Sequence, residues 1–371
     1  MIINRRLLLT AGLATGTATL LPKMAWAAAD TDRRFIFVLQ RGAADGLGLL
    51  APTGDPAFAG VRGDLALTTG TKLDSLFTLH PAMTATAKLF AQKQAAFAHA
   101  IASGYRERSH FDGQNVLECG AAHPYGRDDG WMNRLLTLLP GGERRALALA
   151  TAVPLALRGT VDVGSYAPSR LPDADAGLME RVAMLYAEDA QLAPLWSSAT
   201  QTETMAAMTE SGGRGGAAAG RLVASLMNGA EGARVVMVES NGWDTHVNQA
   251  GRLNGLLQNV DEMIAAIRTD LGSAWSKTLV LVATEFGRTV TVNGTKGTDH
   301  GTASAAMLFG GGLTSGGSVL TDWPGLATGQ LYEGRDLKPT MRFEQLVIDT
   351  LSVHYGIEPE KLKRTVFPDL V

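Results

Sequence analysis

Short runs of continuously apolar residues, each closed by glycine or an acid, most restrict what this chain can fold into. Arg34-Phe-Ile-Phe-Val-Leu39 leads into the glycine-rich Arg41-Gly-Ala-Ala-Asp-Gly-Leu47, and Thr278-Leu-Val-Leu-Val-Ala-Thr284 leads into Glu285. Ala95 to Ala102, Arg234-Val-Val-Met-Val-Glu239 and Ala305-Ala-Met-Leu-Phe309 are of the same kind. A strand with one wet face alternates polar and apolar residues, whereas a strand covered on both faces does not; these runs therefore predict buried strands. Between them the spacing becomes helical, over Met83 to Gln94, Ser109 to Cys119 with Ser109 as the cap, Leu178 to Leu195, Gln249 to Leu271 and Met341 to Tyr355. Strands alternating with helices predict an α/β fold with a mostly parallel central sheet and helices on both faces. Leu147 to Ala156 is apolar without a clear period, and Ser211-Gly-Gly-Arg-Gly-Gly216 reads as a flexible loop.

Composition narrows the function classes. At 371 residues and 46% hydrophobic content the chain can bury a large core. A single cysteine, Cys119, excludes a disulfide framework and a thiolate zinc cluster, which confines any metal site to oxygen and nitrogen ligands. The formal charge of −3, from 33 Lys+Arg against 36 Asp+Glu, leaves no footprint for nucleic acid.

Residues 1–27 are expected to be an address. They carry Arg5-Arg6, an apolar stretch from Leu7 to Leu21 and the small-residue signature Ala25-Trp26-Ala27, the order of a twin-arginine signal peptide cut before Ala28. The stretch is short of the roughly 20 residues a membrane span needs. A periplasmic or secreted protein with no remaining span is expected, and losing Arg5, Arg6 and Lys23 takes its charge from −3 to −6. No repeat or linker interrupts residues 28–371, which are read as one domain.

Polar clusters follow the apolar runs, where open α/β sheets bind ligands. They are Asp45; Ser109-His110-Phe-Asp112; Gly242-Trp-Asp244-Thr-His246; Thr284-Glu285-Phe-Gly-Arg288; and, just before the Ala305 run, Thr298-Asp299-His300-Gly301. Carboxylates beside imidazoles form a ligand set for a divalent ion such as zinc, manganese or iron, with calcium less suited. Asp45, Asp244, His246, Glu285, Asp299 and His300 are the metal-ligand candidates. Ser109 at a helix start has the setting of a nucleophile, His110 could protonate a leaving group or steady that helix, and Arg288 offers positive charge to an anionic ester. Each group also has a structural role open to it: Asp45 is a turn residue before Gly46, Ser109 a plain cap, and Asp244 and His246 a pair that braces its own loop. His80, His99, His123 and His354 are read as structural, and Cys119 as a small core residue.

The ordered set of Arg41-Gly-Ala-Ala-Asp45-Gly-Leu, Ser109-His-Phe-Asp-Gly-Gln114, Gly242-Trp-Asp-Thr-His246, Thr284-Glu-Phe-Gly-Arg-Thr289 and Gly297-Thr-Asp-His-Gly301 resembles an exported bacterial family, domain of unknown function 1501. That family is similar in layout to the alkaline phosphatase and sulfatase superfamily. The resemblance implies one alkaline phosphatase-like α/β domain with a metal-dependent site for phosphate or sulfate esters. Ser109 then takes the nucleophile's place, Asp244 and His246 look like ligands of one metal site, and His300 looks like its late histidine. Three departures accompany the match: Asp244 and His246 are two apart rather than four, Phe286 stands where the superfamily's Asp-His pair has its histidine, and Asp45 sits several residues later than the superfamily's first aspartate. The resemblance therefore implies one metal site more clearly than two. The rival reading is an exported module without catalysis, whose degenerate or structural metal site serves a surface that binds a partner or a glycan.

Overall fold

The computed structural model describes residues 32–140, 145–167, 176–187, 189, 192–207 and 215–370. The expected signal peptide and residues 211–214 of the expected flexible loop lie outside them. Strands run in the order β1 (Arg34–Arg41), β2 (Leu50–Ala51), β3 (Thr71–Lys72), β4 (Thr78–Leu79), β5 (Ala95–Ala102), β6 (Ala146–Leu149), β7 (Gly164–Ser165), β8 (Val235–Asn241), β9 (Thr278–Thr284), β10 (Ser304–Phe309), β11 (Val319–Leu320) and β12 (Met341–Arg342). Nine of them form one sheet in the order β11-β5-β10-β9-β1-β8-β6-β7, with β12 also paired to β5. The small strands β2, β4 and β3 form a separate antiparallel sheet. In the large sheet β9, β1, β8, β6 and β7 are mutually parallel, and β10 runs antiparallel between β9 and β5. The α/β fold with a mostly parallel sheet is as the sequence predicts.

Helices are α1 (Gly46–Leu49), α2 (Phe58–Arg62), α3 (Thr84–Ala91), α4 (His110–Cys119), α5 (Trp131–Leu138), α6 (Ala176–Tyr186), α7 (Leu192–Ala207), α8 (Gly216–Met227), α9 (Gln249–Leu271), α10 (Phe343–Tyr355) and α11 (Pro359–Val366). The period of two in β1 sorts its side chains between two cores. Ile36 and Val38 pack with Val223 of α8 and Leu257 and Ile264 of α9, while Phe35, Phe37 and Leu39 pack with Trp131 of α5, Phe343 of α10 and Leu362 of α11. Because both faces are covered, every described strand at the sheet's centre lacks a polar side, which is why the apolar runs were continuous.

Several expectations shift. The helical pattern over Leu178 to Leu195 is broken into α6 and α7, with Pro194 in the first turn of α7, where its missing N–H costs nothing. Met341 and Arg342 pair with β5 before α10 begins. Helices α5, α8 and α11 carried no reading in the sequence. No described helix is long and apolar enough to cross a membrane.

Strand register sets up the functional edge. Arg41 of β1 lies opposite Asn241 of β8, and Gln40 opposite Thr284 of β9. The antiparallel β10 opens at this same edge, with Ser304 paired to Ile101 near the end of β5. The segments leaving β1, β5, β8 and β9, and the one entering β10, thus meet over one end of the sheet.

Candidate metal centre

Each polar cluster reaches this edge by a short path. Asp244 follows β8 by three residues, behind Trp243, which is buried and donates from its indole N–H to Ser240 Oγ (3.0 Å). Glu285 is the first residue after β9. Between Gly42 and this loop only glycine fits, since a Cβ on Gly42 would stand 2.5 Å from the Asp244 nitrogen and its φ is +117°. His110 opens α4, and His300 bridges to Arg288 in an antiparallel pair. Gly301 permits that pairing, because a Cβ there would meet the Arg288 carbonyl carbon at 2.4 Å.

Three imidazoles converge on the Asp244 carboxylate. Asp244 Oδ1 lies 3.0 Å from His246 Nε2 and 3.2 Å from His300 Nε2, and Oδ2 lies 3.5 Å from His110 Nε2. The ligand atoms of His110, Asp244 and His300 all fall within 4.8 Å of one another, and His246 Nε2 is 3.0 Å from His300 Nε2. On every ring the other nitrogen is engaged: His110 Nδ1 with Glu285 Oε1 (2.9 Å), His246 Nδ1 with Asp299 Oδ1 (3.0 Å) and His300 Nδ1 with the Arg108 carbonyl (2.9 Å). A neutral ring that donates from Nδ1 has only a lone pair at Nε2. Three lone pairs and a carboxylate turned towards each other repel unless a positive charge stands among them. His110 Nε2 is buried without a hydrogen-bond partner among the described residues. The set fits a divalent cation, and the groups behind the rings have the form of outer partners that orient ligating histidines. A His-Asp-His cluster that could hold a metal is therefore present.

The charges around it are balanced by neighbours. Burial pushes the Asp244 carboxyl upward, but the Arg288 hydrogen bond (3.0 Å) and charge, with the imidazoles around it, outweigh it and hold the group below its ordinary range. Arg288 is itself buried and fixed by the carbonyls of Thr298 and Gly42. Burial likewise pushes Glu285 upward, against His110, Gln114 and the Gly42 N–H, and the net shift is downward. His110 is raised, chiefly by its bond to Glu285, while burial lowers His300. Asp299 is lowered, first by Asn293, whose Nδ2 donates to it at 3.0 Å.

The residues singled out in the sequence therefore separate into layers. Asp244, His300 and His110 meet directly, and His246 joins them through Asp244 and His300. Glu285 and Asp299, expected as ligands, instead hold His110 and His246. Asp45 stands apart: its carboxylate is paired with the buried Arg62, accepts from Gln249 Nε2 (2.5 Å) and caps the Leu47 N–H (3.2 Å). With its oxygens spent on a guanidinium, an amide and a cap, it offers nothing to a cation. Ser109 is the N-cap of α4 but makes no side-chain capping bond; its backbone N–H donates to Tyr105 Oη at 3.1 Å. His99 and His354 are buried, and Cys119 is in the core, as expected.

Sequence reasoning missed Gln114, Asn293 and the Arg108 carbonyl as supports. Gln114 was within reach: it lies four residues after His110 on α4, so the two share a face and both bond Glu285. Arg108 carried no such signal. It adopts φ +61°, a conformation rare for a residue with a side chain, and Arg108 also ties Asp336 (2.9 Å) and Glu333 (2.5 Å).

The model of the family described as "Protein of unknown function (DUF1501)" matches residues 32–366. No curated protein matches the chain. Among solved structures, alkaline phosphatase from the Antarctic bacterium TAB5 is similar at 13% identity and TM-score 0.39, covering 77% of this chain and 93% of its own. The C-terminal periplasmic domain of EptC from Escherichia coli, solved with zinc, is similar at 9% identity and TM-score 0.35, covering 78% and 76%. The lipoteichoic acid synthase LtaP from Listeria monocytogenes is similar at 9% identity and TM-score 0.38, covering 80% and 70%.

Proposed function

We propose that this chain, which belongs to the DUF1501 family, is an exported metal-dependent hydrolase of phosphate or sulfate esters. The observation that carries the reading is the convergence of His110, His246 and His300 Nε2 on Asp244, with all three Nδ1 atoms committed elsewhere. His110, Asp244 and His300 would hold one divalent cation, with His246 Nε2, 3.0 Å from Asp244 Oδ1, beside them as a further donor, and zinc, manganese or iron would suit such nitrogens and a carboxylate. When bound, that cation supplies positive potential that polarises an ester oxygen and acidifies a neighbouring hydroxyl. Asp45 takes no part in a second site, because Arg62 and Gln249 occupy it. The ester class follows from the resemblance of the five sequence motifs, and export from Arg5-Arg6 and the apolar leader.

The chain's own residues divide the remaining work. Ser109, next to His110 and free of a capping bond, is the nucleophile candidate, with the phenol of Tyr105 beside it. Glu285 and Asp299 fix the ring orientation of His110 and His246, so that each presents a lone pair rather than an N–H. His110 thereby serves better as a ligand than as the proton donor expected from the sequence. Arg288 holds Asp244 ionised; its remaining bonds run to the Thr298 and Gly42 carbonyls and the Thr298 hydroxyl, so it orders the loop more than it meets substrate.

Elemental analysis of the purified protein, with a panel of aryl phosphates and aryl sulfates assayed with and without chelator, tests the reading. Stoichiometric metal with chelator-sensitive turnover supports it, and metal without turnover favours the exported binding module. Asp244→Ala and His300→Ala should each lose the metal while keeping the wild-type circular dichroism spectrum. Equal metal content in wild type and both variants would sink the proposal.

A further inference from the structure

Of the three imidazoles at the centre, two are aimed by carboxylates, His110 by Glu285 and His246 by Asp299. His300 instead donates from Nδ1 to the main-chain carbonyl of Arg108 (2.9 Å). The partner assigns that proton, since a carbonyl oxygen only accepts. A carbonyl has no side-chain rotamer with which to follow a ring, so its direction is set by the backbone at Arg108. That backbone is unfavourable, with φ +61° on a residue that carries a Cβ. Such a conformation persists only where surrounding contacts impose it. Here the contacts come from one turn, closed by Tyr332 N–H to the Asp336 carbonyl (2.9 Å) and Asp336 N–H to the Tyr332 carbonyl (3.0 Å). Asp336 is fully buried, and its Oδ2 accepts from Arg108 Nε (2.9 Å) and from the hydroxyl of Thr302 (2.8 Å), two residues after His300. Arg335 Nη2 donates to the His300 carbonyl (2.6 Å), and Glu333 meets Arg108 Nη2 from the exposed side (2.5 Å). One turn thus grips both the donor and the acceptor of the His300 to Arg108 hydrogen bond.

We propose that Asp336 is a positioning residue for the metal centre. It acts through Arg108: anchoring the guanidinium keeps the Arg108 backbone at positive φ, and the Arg108 carbonyl then keeps the His300 proton on Nδ1. Nε2 of His300 is left as a lone pair beside Asp244 Oδ1, 3.2 Å away. The inference rests on the reading of this cluster as a cation site. An ion pair that merely tied two loops together would stabilise the fold and have no bearing on which His300 nitrogen carries the proton.

Two measurements on the full-length chain test it: competition for Zn²⁺ with a chromophoric chelator, and long-range proton–nitrogen NMR spectra of the metal-free protein, which read the tautomer of each imidazole. Arg108→Ala and Arg108→Gly lose the same ion pairs, but only glycine accepts a positive φ without strain. Arg108→Ala should bind zinc about tenfold more weakly, the scale of an outer-partner change, and its His300 should be protonated in part at Nε2. Arg108→Gly should recover most of the affinity and the Nδ1 tautomer of the wild type. Asp336→Ala should behave as Arg108→Ala does, and should lose no further affinity when made in Arg108→Gly. If Asp336→Ala does not fold, the two Arg108 variants, which leave Asp336 in place, decide the matter. Equal zinc affinities in Arg108→Ala and Arg108→Gly, or wild-type affinity and an unchanged His300 tautomer in Asp336→Ala, would overturn the proposal and leave the cation site standing. A wild type that takes up no zinc would overturn the cation site and this proposal with it.

Discussion

Replacing Glu285 with glutamine isolates what an outer carboxylate contributes to the centre. The Glu285 side chain is fully buried, and Oε1 accepts from the Gly42 N–H (2.8 Å), His110 Nδ1 (2.9 Å) and Gln114 Nε2 (3.0 Å). Oε2 faces Thr284 Oγ1 at 2.9 Å, and that hydroxyl also lies 2.7 Å from the Gln40 carbonyl. Glutamine can keep all of these contacts. Its oxygen retains the three donors, its amide donates to Thr284, and the Thr284 proton turns to Gln40. Only the charge is lost, so the fold should survive while His110 Nε2 becomes a weaker ligand. Changes to such outer partners lower metal affinity by about 10- to 100-fold, or roughly 1.4 to 2.7 kcal/mol. Competition for Zn²⁺ with a chromophoric chelator at pH 7.5 measures it. Asp45→Asn is the control, because it removes a carboxylate that is equally buried but faces Arg62. Zinc affinity of Glu285→Gln within twofold of wild type, or an equal loss in Asp45→Asn, would refute the argument.

Three further outcomes are expected. Asp45→Ala should cost about 3–5 kcal/mol in urea unfolding, because it strands the buried Arg62 guanidinium; metal affinity should stay unchanged. Gly297→Ala should weaken metal binding without touching a ligand, since the new Cβ would stand 2.1 Å from the His246 carbonyl oxygen and force that segment to move; the chelator competition reads it. Acid should destabilise the protein through His99, whose ring donates from Nε2 to the Leu50 carbonyl (3.0 Å) and accepts the Ala100 N–H at Nδ1 (2.7 Å). Burial lowers its pKa from 6.5 to about 4. Above pH 6.5 the ring is neutral folded or unfolded and contributes nothing; as pH falls towards about 4 only the unfolded chain takes up the proton, and roughly 3 kcal/mol is lost. Urea unfolding at pH 7 and pH 5 should show a shallower loss in His99→Gln than in wild type, and equal slopes would contradict this account.

The sequence alone determined the strand runs and the covered sheet, because burial on both faces removes the polar residues an exposed strand would show. It also marked Asp244, His246 and His300, whose clusters follow or precede strands in short loops. The long helix Gln249–Leu271 was read to its ends, since its apolar spacing is uninterrupted and Gly272 stops it. Helix α8 went unread because its first residues, Gly216 to Gly220, are small and give no period. Only the tertiary structure decided how the acids divide their work. Asp45, Glu285 and Asp299 look alike in the chain, each an acid beside a small, aromatic or imidazole neighbour at a strand or loop end. A carboxylate becomes a ligand, a support or half of a buried ion pair according to which donor reaches it first. For Asp45 that donor is Arg62, and for Glu285 it is the ring of His110, 175 residues away in sequence. Such encounters depend on the packing of distant segments over the end of the sheet, and local spacing carries no record of them.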